Sequence, residues 1–195
     1  MNSTMTTITA TEPPSLIRLH YLCYVAIALA VMIWAIVAKN LWFLNWVHVF
    51  AGLMWTGIDL FMGFILGPIL RKVDISVRRE IIVRLIPRTL FLMPTLAIVT
   101  GTAGWYLAQA RGFDQLPWPQ YGWVAAALAL VTLMTLQGLG YLLPTNLRVC
   151  LELQKPAPDF GKIGRLMKGY FVAVAAQGAM QVTIIVIMAR FATGI

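Results

Sequence analysis

The stretch LWFLNWVHVFAGLMWTGIDLFMGFILGPILRK, residues 41–72, decides the fold. It stays apolar for longer than the ~20 residues an α-helix needs to cross ~30 Å of hydrocarbon, and it ends on Arg71 and Lys72. Inside the run stand one histidine, His48, and one carboxylate, Asp59, the only acidic residue in any apolar segment of the chain. An ionisable side chain at the centre of a bilayer costs roughly 2.5–3.5 kcal/mol on insertion scales, so each is a functional candidate by default.

Working outward, apolar runs at 16–38, 89–108, 122–143 and 170–189 also reach the spanning length, and with 41–70 they make five. Backbone polar groups cannot stay unpaired in lipid, so such runs are helices or barrel strands; their length and lack of alternation exclude strands. The expectation is an all-α integral membrane protein, a five-helix bundle forming one domain over 16–195. Residues 1–15 are polar and Thr-rich, without the basic start of a cleavable signal, and are expected to form a disordered tail. Composition agrees: 60% of residues are hydrophobic and 11% charged, against about 25% charged in soluble domains.

The net charge of +8 does not indicate nucleic acid, because the basic residues lie between the apolar runs, where orientation signals belong. Arg71, Lys72, Arg78, Arg79, Arg84 and Arg88 follow the second run, and Arg148, Lys155, Lys162, Arg165 and Lys168 follow the fourth. The alternate connections carry only Lys39 and Arg111. Positive loops stay in the cytoplasm, which predicts the N-terminus inside and the C-terminus outside. Trp42, Trp46, Trp105, Tyr106, Trp118, Tyr121 and Trp123 would then form an outer aromatic belt. Residues 75–88, ISVRREIIVRLIPR, read as an interfacial amphipathic helix, with Pro87 and Pro94 suiting a helix start or kink. Cys23 and Cys150 offer neither metal spacing nor a disulfide framework.

In the second span Asp59 follows His48 by ~16 Å at 1.5 Å per residue, and the helical repeat brings both to nearly one face. Gly52 and Trp55 share that face, so it should look into the bundle. Gly52, Gly63 and Gly67 let another backbone or a flat ligand approach closely. Counting depth from the ends of the spans puts Gln137 and Gln177 level with Asp59, and Gln181 on the same helix face as Gln177. This predicts a polar cluster of Asp59, Gln137, Gln177 and Gln181. Intramembrane glutamines also serve simply as glue between helices, at around 0.6 kcal/mol each. His20, at the inner end of the first span, is too far in depth from His48 to share a metal with it. A Met ligand (Met54, Met93, Met134 or Met180), a second subunit's histidine, or five-coordination remain open for a heme on His48. No nucleophile triad, phosphate loop, CxxC or HExxH occurs.

WVHVFAGLMWTGIDLFMGFILGPILRK resembles the His–x–x–aliphatic/Ala–Gly–x–x–Trp–x–Gly segment of the CopD family, the HemJ-type protoporphyrinogen oxidases and the membrane domain of urate-oxidase-like proteins. RLIPRTLFLMPTLAIVTGTAGWYL is similar to the Arg-rich loop, Pro and Thr–Gly helix that follow in those families, and together these cover about residues 41–108. The resemblance implies a helical bundle whose motif histidine, His48 here, binds heme or porphyrin, with Gly52 and Trp55 beside it. The Lys and His expected around the next Gly–Trp helix of HemJ-like proteins are absent from GWVAAALALVTLMTLQGLGY.

The resulting expectation is a heme b- or porphyrin-binding membrane protein in electron transfer, with Asp59 and the glutamines handling a proton or a quinone-like head. Its partners would be the lipid bilayer and a homo-oligomer or larger membrane complex. The alternatives are a cofactor-free accessory subunit of a membrane enzyme, or a small permease in which Asp59 carries a proton or cation.

Overall fold

The computed structural model describes residues 19–194, so the expected tail at 1–15 and the first residues of the first span lie outside the described residues. Five long helices carry the fold: α1 (Leu19–Val37), α2 (Leu41–Lys72), α3 (Ile75–Ala110), α4 (Tyr121–Leu153) and α5 (Phe160–Thr193). All five are long and apolar enough to cross a membrane, and no strand occurs among the described residues.

Short connections make successive helices antiparallel. The α1–α2 turn passes through Lys39 at a positive φ of 51°, and Asn40 then caps α2 by accepting the Phe43 N–H at 3.1 Å. A 3₁₀ turn, Phe113–Gln115, bridges α3 and α4. Asp159 caps α5, accepting the Lys162 N–H at 2.9 Å. This up-and-down order gathers Trp42, Trp46, Trp105, Trp118 and Trp123, all exposed, at one end of the bundle. The Arg/Lys-rich segments meet at the other.

Three helices run beyond the spans read from hydropathy. The amphipathic stretch 75–88, expected to lie separately at the membrane surface, is continuous with the third span in α3. The reason is tertiary: Ile82 and Ile86 are buried in one apolar cluster with Val149 and Cys150 of α4 and Ile163 and Met167 of α5. An apolar stripe that finds helix partners has no need of headgroups, and its burial keeps α3 helical through Pro87.

α2 and α4 each contain a π-helical turn, Phe61–Leu66 and Gly138–Leu142. The Gly67 N–H donates to the Met62 carbonyl and the Leu143 N–H to the Gly138 carbonyl, five residues back. Pro68 and Pro144 follow immediately. A proline ring in a helix clashes with the carbonyl four residues earlier and lacks the N–H to bond it; widening the preceding turn by one residue relieves that conflict.

α2 packs against α1, α3 and α5, while α4 packs against α5 and, through Leu143–Leu153, against α3. One apolar core, with Met32, Ala35, Leu44, Val47, Ala51, Val99, Ala103 and Leu107, ties α1, α2 and α3 toward the aromatic end. The other, around Met62, Leu70, Ile86, Val149, Met167 and Val174, ties α2 to α5 toward the basic end. Asp59, Gln177 and Gln181 are buried between α2 and α5.

Candidate functional site

Asp59 is almost fully buried, at 1% exposure, on the face of α2 that meets α5. Gln177 and Gln181, one turn apart on α5, donate their Nε2 hydrogens to the same carboxyl oxygen, Oδ2, at 3.2 and 3.0 Å. The seam that brings them together is made by small residues. A methyl added to Gly63 would sit 2.6 Å from the Ala175 Cα, and one on Gly178 would meet Leu60. Backbone contact between α2 and α5 therefore sets the reach of the Asp59–Gln pair. Trp55, one turn before Asp59, is buried beside the carboxyl.

Asp59, Gln177 and Trp55 form part of the wall of a cavity of about 290 Å³ between α2, α3, α4 and α5. Its size falls at the lower edge of the ~300–1,000 Å³ usual for small-molecule sites. Met93, Pro94, Ala97 and Met134 supply apolar wall. Thr89, Asn146 and Tyr170 line the same cavity toward the basic end, and Asn146 donates Nδ2–H to Thr89 Oγ1 at 3.2 Å. The Tyr170 side chain, 3% exposed, faces this pair. The buried amide oxygens Gln177 Oε1, Gln181 Oε1 and Asn146 Oδ1 have no hydrogen-bond partner among the described residues. Each such orphan costs about 1–3 kcal/mol unless something occupies the space before it.

Of the residues singled out from sequence, the structure brings Asp59, Gln177, Gln181 and Trp55 together. Gln137 goes elsewhere: its Nε2 donates to the Ala173 carbonyl at 2.6 Å, and it lines an open groove with Tyr141, Lys168 and Gly169 on the outside of the α4–α5 pair. Depth counting matched its level with Asp59, but the turn of α4 points it to a different azimuth. Thr89, Asn146 and Tyr170 were overlooked because they stand at or past the ends of the hydropathy spans, where polar side chains look like loop or headgroup residues. The signal available was the continuation of the apolar periodicity on both sides of Pro144.

His48 lies higher on the same helix, half-buried against α3. Its Nδ1 is 2.9 Å from the Thr100 carbonyl oxygen. A carbonyl only accepts, so Nδ1 carries the proton and Nε2 the lone pair, the arrangement of a histidine ready to ligate a metal. The surroundings do not complete a heme cradle. The space in front of Gly104 holds the His48 ring itself, with Cε1 2.7 Å from where a Cβ would stand, and the space in front of Gly52 holds the Thr100 methyl at 3.3 Å. These glycines serve α2–α3 packing rather than a porphyrin face, and Trp55 belongs to the Asp59 cavity. His20 is exposed on α1, edge-on to Tyr21. Among the described residues no group of three or more His, Cys, Asp or Glu side chains gathers as a metal site.

These features define a class: an all-helical chain with five helices able to span a membrane and a partly polar cavity enclosed by four of them. No family model matches the chain, and neither does any curated protein or solved structure.

Proposed function

We propose that this is an integral protein of the bacterial cytoplasmic membrane, N-terminus inside and C-terminus outside, that binds a lipid-soluble, quinone-like molecule in the Asp59 cavity as part of an electron-transfer system. The observation that carries this reading is the buried Asp59–Gln177 pair in the wall of an otherwise largely apolar cavity at the middle level of the bundle. A few convergent polar groups in an apolar pocket are what fixes the orientation of a small ligand. Asp59 would hold or pass the proton that accompanies reduction of a ring oxygen, and the two glutamines would keep its carboxyl in one rotamer. Electrons would come from a partner within a larger membrane complex or a homo-oligomer.

The test is equilibrium binding of 2-decyl-1,4-benzoquinone to the protein in lipid nanodiscs, against empty nanodiscs. Saturable binding that is lost in Asp59→Leu supports the reading; binding no greater than partition into the lipid sinks it.

A heme b or related porphyrin on His48 is the second reading, favoured by the Nδ1–H bond to Thr100. The group would supply one-electron chemistry close to the aromatic end of the bundle. A Soret band in the purified protein that disappears in His48→Ala would support it. A colourless preparation copurifying with other subunits would favour an accessory role, and proton or cation uptake into liposomes abolished by Asp59→Asn would favour a permease.

A further inference from the structure

The cavity has two polar poles, and Asp59 marks only one. Gln177 and Tyr170 are seven residues apart on α5, which is two turns and ~10 Å along one helix face. The first pole joins Asp59 and Gln177, with the unpartnered Gln177 Oε1. The second joins Asn146, Thr89 and Tyr170, with the unpartnered Asn146 Oδ1. Gln177 and Asn146 are each 3% exposed, and both line the cavity. The wall between the poles is apolar, with Met93, Ala97 and Met134.

A molecule filling this space needs polar atoms at both ends and a flat or compact apolar middle. A para-disubstituted ring meets that requirement: roughly 5 Å between its two oxygens plus a hydrogen bond of about 2.8 Å at each end gives a span comparable to the ~10 Å rise along α5 from Tyr170 to Gln177. Amide side chains suit such a ring in both of its oxidation states. As they stand, the free amide oxygens accept from the two hydroxyls of a quinol; turned over, the amides release Asp59 and Thr89 and present an N–H to the carbonyls of the quinone.

The mouth is lateral. Ile98 on α3 and Leu139 on α4 line the cavity and are 52% and 57% exposed. Gly101 on α3 and Gly138 on α4 line it too, and a methyl added at either would meet nothing within 4 Å. The strong contacts between α3 and α4 lie lower, at Leu143–Leu153. The opening therefore faces the apolar flank of the bundle, where lipid tails would lie, and not either end.

We propose that the cavity selects a ring bearing an oxygen at each end, of the para-quinone and para-quinol class, held between Asp59–Gln177 and Asn146–Tyr170 and admitted from the bilayer past Gly101 and Gly138. This rests on the reading of the Asp59 cavity as a ligand site and adds its second pole, its selectivity and its route of access.

The experiment compares 2-decyl-1,4-benzoquinone and its quinol with 4-decylphenol, which has one oxygen, on the protein in nanodiscs. The two-ended rings should bind about 10-fold more tightly, the value of one well-made hydrogen bond to a buried partner. Asn146→Leu should remove that advantage and leave 4-decylphenol unchanged; Thr89→Val, nearly isosteric, does the same service should Asn146→Leu fail to fold. Gly101→Leu and Gly138→Leu, which fill the mouth without touching either pole, should lower the association rate of both rings at least 10-fold. Equal affinities for one-ended and two-ended rings would overturn the second pole, and unchanged association rates in both glycine variants would overturn the lateral mouth. Either outcome leaves saturable binding intact, whereas absence of saturable binding by every ring refutes the cavity reading itself.

Discussion

Replacing Gly63 by alanine isolates the contact on which the site depends. The new methyl would lie 2.6 Å from the Ala175 Cα, 2.7 Å from its N and 2.8 Å from its Cβ. Carbon atoms in contact prefer about 3.5–4.0 Å, so α2 and α5 must separate by roughly 1 Å. No flexible side chain can yield instead, because two of the three neighbours are backbone. Overpacking of this kind costs about 1–3 kcal/mol. The same displacement stretches the 3.2 Å Gln177–Asp59 bond beyond hydrogen-bond range, adding about 1 kcal/mol. At roughly 2–4 °C per kcal/mol for a chain of this size, the melting midpoint in detergent should fall by about 4–16 °C. The control is Gly57→Ala, where a methyl meets nothing within 4 Å and the helix loses no partner. A Gly63→Ala protein that melts together with Gly57→Ala would refute the argument that backbone contact between α2 and α5 sets the geometry of the Asp59 pair.

Asp59→Leu leaves two buried amides facing hydrocarbon and should destabilise the bundle by about 2–4 kcal/mol, while Asp59→Asn, which keeps an acceptor, should cost less than half of that; thermal melts compare the two. In a double-mutant cycle, Gln177→Leu and Gln181→Leu should be strongly non-additive with Asp59→Leu, and additivity would mean that the hydrogen bonds contribute nothing. Gly104→Val should push the His48 ring off Thr100, so the imidazole Nδ1–H resonance should lose its hydrogen-bonded shift in NMR of His-labelled protein. Glu152→Gln should loosen the α4–α5 connection, because Glu152 Oε2 accepts from both Lys155 and Lys162 at 2.9 and 2.8 Å; faster amide exchange across 154–160 is the readout.

Helix number and type were legible in the residues because hydrocarbon imposes a simple rule: every backbone group must bond within its own segment, so length and apolarity alone mark a spanning helix. The face of α2 with His48, Gly52, Trp55 and Asp59 was legible for the same reason, since a helical repeat turns spacing into azimuth. Gln177 and Gln181 could be matched to Asp59 by counting depth along antiparallel helices. Counting fails where azimuth decides, and Gln137, bonded to Ala173 away from the cavity, shows how. It fails again where helices outrun their hydropathy, and Thr89, Asn146 and Tyr170 became visible as cavity residues only once α3, α4 and α5 were seen to continue.

The chain by itself determined that five helices are long and apolar enough to cross a membrane and that one carboxylate, Asp59, lies inside such a helix, because burial of charge and of backbone polarity is costly enough to show in composition. Only the tertiary structure decided which groups share a space. Separate helices meet through glycine seams such as Gly63 on Ala175, and the rotation and crossing of each pair are fixed by close packing that no single helix encodes. That packing set the His48 ring against Thr100, put Gly52 and Gly104 to use between helices, and opened a cavity with polar side chains toward each end.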